Sequence, residues 1–261
     1  MRIDGQVVLI TGASEGLGGA CAAEFARAGA SLSLAARSAE GLRRVAEANS
    51  FVQSITSPGD LTSESARRAA VERTLDRFGR IDILINNAGV GLYQPSWMTP
   101  LDDARRLWDL NFFTALGMAQ LAIPRMIERR SGMIVNISSI AGKFTLPWLP
   151  LYSASKSALG SWTESLRMEL RASGVHAMLV CPGYINTGFQ RHVLSGEPPA
   201  KIAGGKRFAI TAEDCAQAVR RGVERGARTV MAPRAGWPIV FVRSLFPGLV
   251  ESNLAKLNGT A

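Results

Sequence analysis

Cysteine and histidine are scarce in this chain. Its 261 residues include three cysteines, Cys21, Cys181 and Cys215, and two histidines, His176 and His192. An odd number of well-separated cysteines without a C-x-x-C pair argues against a disulfide framework and a zinc site, and fits a reducing cytoplasm. No carboxylate–histidine cluster stands out, so no metal is expected, and both histidines read as structural or solvent-exposed. No run of eighteen uncharged apolar residues occurs, which argues against a membrane-spanning helix. "MRIDGQ" leads straight into "VVLITG", with no room before this first strand for a basic region, an apolar stretch and a cleavage site, so no secretory signal is expected. Linkers, repeats and low-complexity tracts are also missing, so nothing splits the chain.

What is present is an ordinary globular mixture, 47% apolar and 20% charged, with a formal net charge of +9. The positive balance points to anionic ligands or surfaces. Arginines are scattered, however, and no basic run or basic–aromatic interleaving marks a nucleic-acid groove, so no nucleic-acid partner is expected.

Short β-branched or apolar runs alternate with longer amphipathic stretches. The expected strands are "VVLITG", "SLSLAA", "FVQSI", "IDILINNAG", "GMIVNISS", "VHAMLVCPG" and "TVMAP". Between them the pattern predicts helices over 18–28, 39–48, 63–78, 102–129, 153–173 and 212–225. Repeated βα units of this kind build a doubly wound parallel sheet, a Rossmann-like α/β domain, with ligands at the carboxyl ends of the strands. That domain is expected over 1–232, with a mobile substrate loop at about 188–210. An apolar tail follows over 233–261.

The first strand runs into "TGASEGLGGACAAEF", with Gly12, Gly16 and Gly18 at the turn into a helix. Glycines there allow a tight turn and close backbone approach, and the helix N-terminus offers unpaired N–H groups to a pyrophosphate. The spacing is G-x-x-x-G-x-G rather than G-x-G-x-x-G.

A second stretch, "YSASK" at 152–156, places a phenol and an ammonium on one face of a predicted helix. At about 4 Å and an effective dielectric of about 20 their attraction is worth at most roughly 4 kcal/mol, enough to bring a phenol pKa of about 10 towards neutrality. Taken alone, the pair reads equally as a packed tyrosine with a solvated lysine one turn away.

Six landmarks in order decide between these readings: "TGASEGLG" at 11–18, "NNAG" at 86–89, Asn111 in "DLNFF", "NISS" at 136–139, "YSASK", and "PG" at 182–183 followed by Thr187. Together they resemble the short-chain dehydrogenase/reductase family over residues 7–187. The resemblance implies that Tyr152 exchanges a proton with the substrate oxygen. Lys156 would lower the phenol's pKa and bind the nicotinamide ribose, Ser139 would hold the carbonyl oxygen, and Asn111 would anchor a relay water. Ser138, on the opposite strand face, reads as a packing residue or backbone partner.

The same resemblance implies cofactor contacts from Gly12, Ser14, Glu15, Gly16, Leu17 and Gly18, then from Asp60 and Leu61. Further contacts would come from Asn86, Ala88 and Gly89, and from Pro182, Gly183, Ile185 and Thr187 near the carboxamide. Asn87 reads as a brace between strands, and Asp60 reads equally as a helix cap. The end of the second strand, "LSLAARSAEG", has Ala36 where an acid would bind the ribose of NAD, and Arg37 next to it suits the 2′-phosphate of NADP. Glu15 opposes that preference. NADPH is therefore expected over NADH.

The expected chemistry is reduction of a carbonyl to an alcohol, or the reverse. The alternative is a catalytically idle nucleotide-binding scaffold or sensor of the same fold. Leu92, Tyr93, Phe144, Leu146, Trp148 and Leu149 suggest a small hydrophobic carbonyl or alcohol substrate, and they read equally as packing for a subunit interface. The tail, with Trp237, Phe241, Leu245, Phe246 and Leu249 among its apolar residues, is too broken to span a bilayer and too apolar to lie bare. It could be hidden by a partner subunit, by the mouth of the chain's own substrate pocket or by a membrane surface, and burial against protein in a homo-oligomer is the first expectation. Peripheral membrane contact is the second.

Overall fold

Val7–Thr11 (β1) is a run of aliphatic residues ending in Thr11, and it is buried along its whole length. A strand covered by helices on both faces has that composition. The structure, a computed structural model, describes residues 1–185, 188–189, 193–197 and 209–258. Six more strands follow: Ser31–Ala36 (β2), Ser54–Pro58 (β3), Ile83–Asn86 (β4), Gly132–Ile137 (β5), Val175–Pro182 (β6) and Thr229–Ala232 (β7). They form one sheet in the order β3-β2-β1-β4-β5-β6-β7, every neighbouring pair parallel. The chain winds outward from β1 in one direction and from β4 in the other. The switch between them opens a crevice at the carboxyl ends of the strands.

The described helices are Gly16–Arg27 (α1), Ala39–Ala48 (α2), Glu64–Phe78 (α3), Leu101–Trp108 (α4), Thr114–Glu128 (α5), Pro150–Glu169 (α6), Ala212–Glu224 (α7), Gly236–Leu245 (α8) and Pro247–Asn258 (α9). Alternate side chains of each strand face opposite layers. Val8 and Ile10 join Phe25 of α1, Leu42 of α2 and Val219 of α7 on one side of the sheet. Leu9 joins Val71 of α3, Met118 of α5 and Leu166 of α6 on the other. The result is a single α/β domain with a core on each face.

Polar residues fix the ends of these elements. The hydroxyls of Ser38, Ser63 and Thr211 accept from the N–H groups of Gly41, Ala66 and Asp214 and so cap α2, α3 and α7. Asp82, 1% exposed at the foot of β4, accepts from Val7 N at 2.8 Å, Arg80 Nε at 2.8 Å and the Arg129 guanidinium. One carboxylate thereby ties β1, β4 and the end of α5 together.

Three segments differ from the sequence reading. The third strand starts three residues later than "FVQSI" and shares Ser54 and Ile55 with it: β3 begins at Ser54, in register with Leu32, and Phe51 is exposed in the preceding turn. The single helix expected over 102–129 is divided into α4 and α5 by a π-helical turn, Asp109–Phe113. The tail folds into α8 and α9. The loop expected at 188–210 lies mostly outside the described residues.

Candidate active site

The glycine turn between β1 and α1 is built by close approach. Gly12 has φ +64°, and a Cβ there would sit 2.9 Å from Asn87 Nδ2 and 3.0 Å from Ala88 Cα. A Cβ on Gly18 would lie 2.1 Å from the carbonyl oxygen of Gly12. Only glycine fits either position without moving backbone. Thr11 closes the turn from below: its hydroxyl accepts from Asn87 N at 3.0 Å and Ala88 N at 3.1 Å, while Asn87 Nδ2 donates to the carbonyls of Thr11 and Gly12. Asn87 braces the turn in this way and also lines the cleft.

A cleft of about 1060 Å³ runs from this turn across the ends of the strands. That is room for a dinucleotide together with a small substrate. Gly12, Ser14, Glu15, Gly16 and Leu17 line its start, and Ala36, Arg37, Asp60 and Leu61 its next section. Ala88, Gly89, Ser139, Tyr152, Lys156, Pro182, Gly183 and Ile185 line the rest. Gly18 lies beneath the turn.

Asn86 departs from the sequence reading and does not reach the cleft. It is 3% exposed and donates to Asn136 Oδ1 at 2.9 Å and to the Ala115 carbonyl, because β4 alternation turns its side chain to the sheet face covered by α5. Thr187 and His192 lie outside the described residues. Asp60 Oδ1 accepts from Thr62 N and Thr62 Oγ1 at 3.0 and 2.9 Å, while Ser63 is the residue that caps α3.

Three side chains, Ser139, Tyr152 and Lys156, converge at the far end of the cleft. Ser139 follows β5. Its hydroxyl accepts from Ala141 N at 3.1 Å, donates to the Pro182 carbonyl at 3.5 Å and lies beside the Tyr152 phenol. Ser138 points the other way, its hydroxyl donating to the Lys156 carbonyl at 2.8 Å and holding α6 against β5. Tyr152 and Lys156 share a face of α6, and the ammonium stands 5.8 Å from the centre of the phenol ring. Lys156 Nζ donates to the Ile137 carbonyl at 3.0 Å.

Asn111 is fully committed within the protein. Its Oδ1 accepts from Val90 N at 2.8 Å, and its Nδ2 donates to the Val90 carbonyl and to Ser155 Oγ. Ser155 in turn donates to the Tyr152 carbonyl at 2.8 Å. Asn111 therefore positions the strand-end segment at Val90 and the first turn of α6. Gly89 marks where the groups crowd, since a Cβ there would lie 3.1 Å from Asn111 Oδ1 and 3.2 Å from Lys156 Nζ.

The electrostatics overturn one expectation. Burial pushes the Tyr152 phenol up to about 12, against a smaller downward pull from the Ser139 hydrogen bond. Burial also lowers Lys156 to about 8. The i,i+4 spacing does bring the two together, but the ammonium turns to the Ile137 carbonyl, and loss of water outweighs the attraction assumed at about 4 Å. The site thus holds a protonated phenol beside a weakly basic amine.

Thr11 and Ser155 were missed in the sequence reading, which followed the family landmarks to neighbouring residues. Phe189 was missed as well. It meets the Tyr152 ring edge-on at 5.9 Å between centroids. Its surroundings, including Tyr93, Leu146, Trp148, Leu149 and Leu194, make this end of the cleft apolar.

Comparisons with known proteins agree with this architecture. The sequence model described as short chain dehydrogenase matches residues 6–198. A dehydrogenase/reductase SDR family protein 7-like protein of Anopheles gambiae is 35% identical, the alignment covering 99% of this chain and 86% of that protein. The crystal structure of a short-chain dehydrogenase/reductase from Burkholderia phymatum in complex with NAD superposes with a TM-score of 0.87 at 26% identity, covering 95% of this chain and 96% of the other. A 3-ketoacyl-(acyl-carrier-protein) reductase from Brucella melitensis, complexed with NADH, gives 0.80 at 26% identity over 89% and 99% of the two chains.

Proposed function

This chain belongs to the short-chain dehydrogenase/reductase family, and from that premise we propose that it is an NADPH-dependent reductase of a hydrophobic ketone or aldehyde. The observation that carries the proposal is the Ser139–Tyr152–Lys156 array, with the phenol held in its protonated form at the apolar end of a dinucleotide-sized cleft. A nicotinamide cofactor bound there supplies the hydride.

The glycine turn and the N-terminus of α1 receive the pyrophosphate. Arg37, exposed beside the buried Ala36, takes the 2′-phosphate, and no carboxylate stands at position 36 to bind a ribose hydroxyl instead. Asp60 and Leu61 frame the adenine. Ala88, Gly89, Pro182, Gly183 and Ile185 border the nicotinamide half, and Lys156 serves its ribose. The solved neighbours named above hold NAD and NADH, so the preference for NADPH rests on Ala36 and Arg37.

At the reacting end, Ser139 donates to the substrate carbonyl oxygen and Tyr152 delivers the proton to it. Lys156, on the same helix face with its ammonium 5.8 Å from the ring centre, offers a positive charge to the phenolate left behind once it turns from the Ile137 carbonyl. The phenol is protonated at neutral pH, the form that can donate to a carbonyl oxygen. The side chains of Tyr93, Trp148, Leu149 and Phe189 exclude water and select an uncharged, apolar substrate. A panel of ketones and aldehydes followed by loss of NADPH absorbance tests the proposal. Turnover of apolar members supports it, and no turnover of any member with bound cofactor refutes it.

A further inference from the structure

The tail leaves an apolar surface beside the substrate end of the cleft. Trp237, Ile239, Phe241, Val242, Leu245, Phe246, Leu249 and Leu257 are each between 41% and 65% exposed. Few contacts pin the two helices. Gly236 and Val240 of α8 rest on Met231 and Ile140. Leu254 of α9 rests on the cluster that contains Leu107, Trp148, Leu149 and Tyr152. The same cluster receives Leu107 from α4, and the segment leading into α4 exposes Trp97, Met98 and Leu101. Apolar surface therefore flanks the substrate end on both sides.

We infer that this surface docks on an anionic membrane and that lipophilic substrate reaches the cleft from the bilayer. Three observations favour a membrane over a second copy of the chain. At about 100° per residue, the exposed apolar side chains of α8 from Trp237 to Leu245 sweep roughly 200° of its circumference. One flat protein face covers less than that, whereas a surrounding lipid interface reaches all of it.

The second observation is length. α8 has ten residues and spans about 15 Å, and none of the described helices is long and apolar enough to cross a membrane, so the tail lies in the interfacial plane. The third is charge. Arg234, Arg243 and Lys256 accompany the apolar residues against Glu251 alone, and the chain carries +9 overall. A two-fold dimer would set this cationic patch against its own copy, while anionic headgroups neutralise it.

The docking does not depend on the reductase reading; the route for substrate does. The test mixes the full-length protein with unilamellar vesicles of phosphatidylcholine, with and without phosphatidylserine. Flotation reads the bound fraction, and light scattering reads the protein's mass without lipid. Phosphatidylserine is expected to raise the bound fraction about tenfold or more, and the double variant Phe241→Glu, Leu245→Glu to abolish that gain. NADPH affinity unchanged in the variant shows that it has folded. Binding indifferent to phosphatidylserine, or indifferent to the double variant, overturns the inference. So does a lipid-free dimer that the double variant converts to monomers, which would make a second copy the occupant. Turnover enters none of these readouts, so loss of the reductase reading leaves the result interpretable.

Discussion

Replacing Lys156 with methionine should make the protein more stable while removing its activity. Lys156 is 4% exposed, and burial lowers its pKa from 10.5 to about 8. Holding it charged in the fold at neutral pH therefore costs about 3 kcal/mol. Methionine keeps most of the chain's length and removes the charge, but it loses the bond to the Ile137 carbonyl, worth about 1 kcal/mol. The net expectation is a gain of about 2 kcal/mol at neutral pH.

The sign reverses with pH. Between about 8 and 10.5 the unfolded parent binds more protons than the folded parent, so its stability rises with pH over that window. Lys156→Met lacks this rise, so its advantage is full below about pH 8 and becomes a deficit of about 1 kcal/mol, the lost bond alone, by about 10.5. Tyr152, pushed up to about 12, lowers stability as pH climbs above its ordinary 10, but it does so in both proteins and cancels in the difference. Urea unfolding of parent and variant across this range reads the effect directly. A variant less stable at neutral pH, with a difference that stays flat as pH rises, would refute the reasoning.

Cofactor choice has its own test: Ala36→Asp with Arg37→Ala should turn a preference for NADPH into one for NADH, shifting the ratio of the two affinities by about a hundredfold. NADH bound more tightly by the unmodified protein would reject the role given to Arg37. Asp82→Ala should cost about 3 kcal/mol in urea unfolding, because it strands two arginines and the Val7 N–H around a buried site. A loss under about 1 kcal/mol would show that the carboxylate is dispensable. Gly18→Ala should abolish cofactor binding or folding, since its Cβ would lie 2.1 Å from the Gly12 carbonyl oxygen; NADPH titration of soluble variant protein checks it, and normal affinity would contradict it.

The sheet and the reacting end of the cleft were legible because local chemistry dictates them. Buried strands need continuous aliphatic runs, the turn at Gly12 and Gly18 tolerates no side chain, and i,i+4 spacing alone brings Tyr152 and Lys156 together. What stayed hidden depends on distant partners. Whether Asn86 or Asn87 faces the cleft is set by the exit of β4, and the asparagine pair reads the same either way. The π-helical turn over Asp109–Phe113 leaves no mark in the apolar periodicity of α4 and α5. The pKa of Tyr152 depends on how deeply α6 and Phe189 bury it, which spacing does not report. The tail announced its apolar character but not its two helices.

The most direct test of the account compares the parent with Tyr152→Phe, measuring NADPH oxidation with an apolar ketone that the parent reduces together with NADPH affinity by titration. The account predicts turnover reduced by at least about a hundredfold, the contribution expected of a general acid, with NADPH affinity within about twofold of the parent. Turnover by Tyr152→Phe comparable to that of the parent would contradict it.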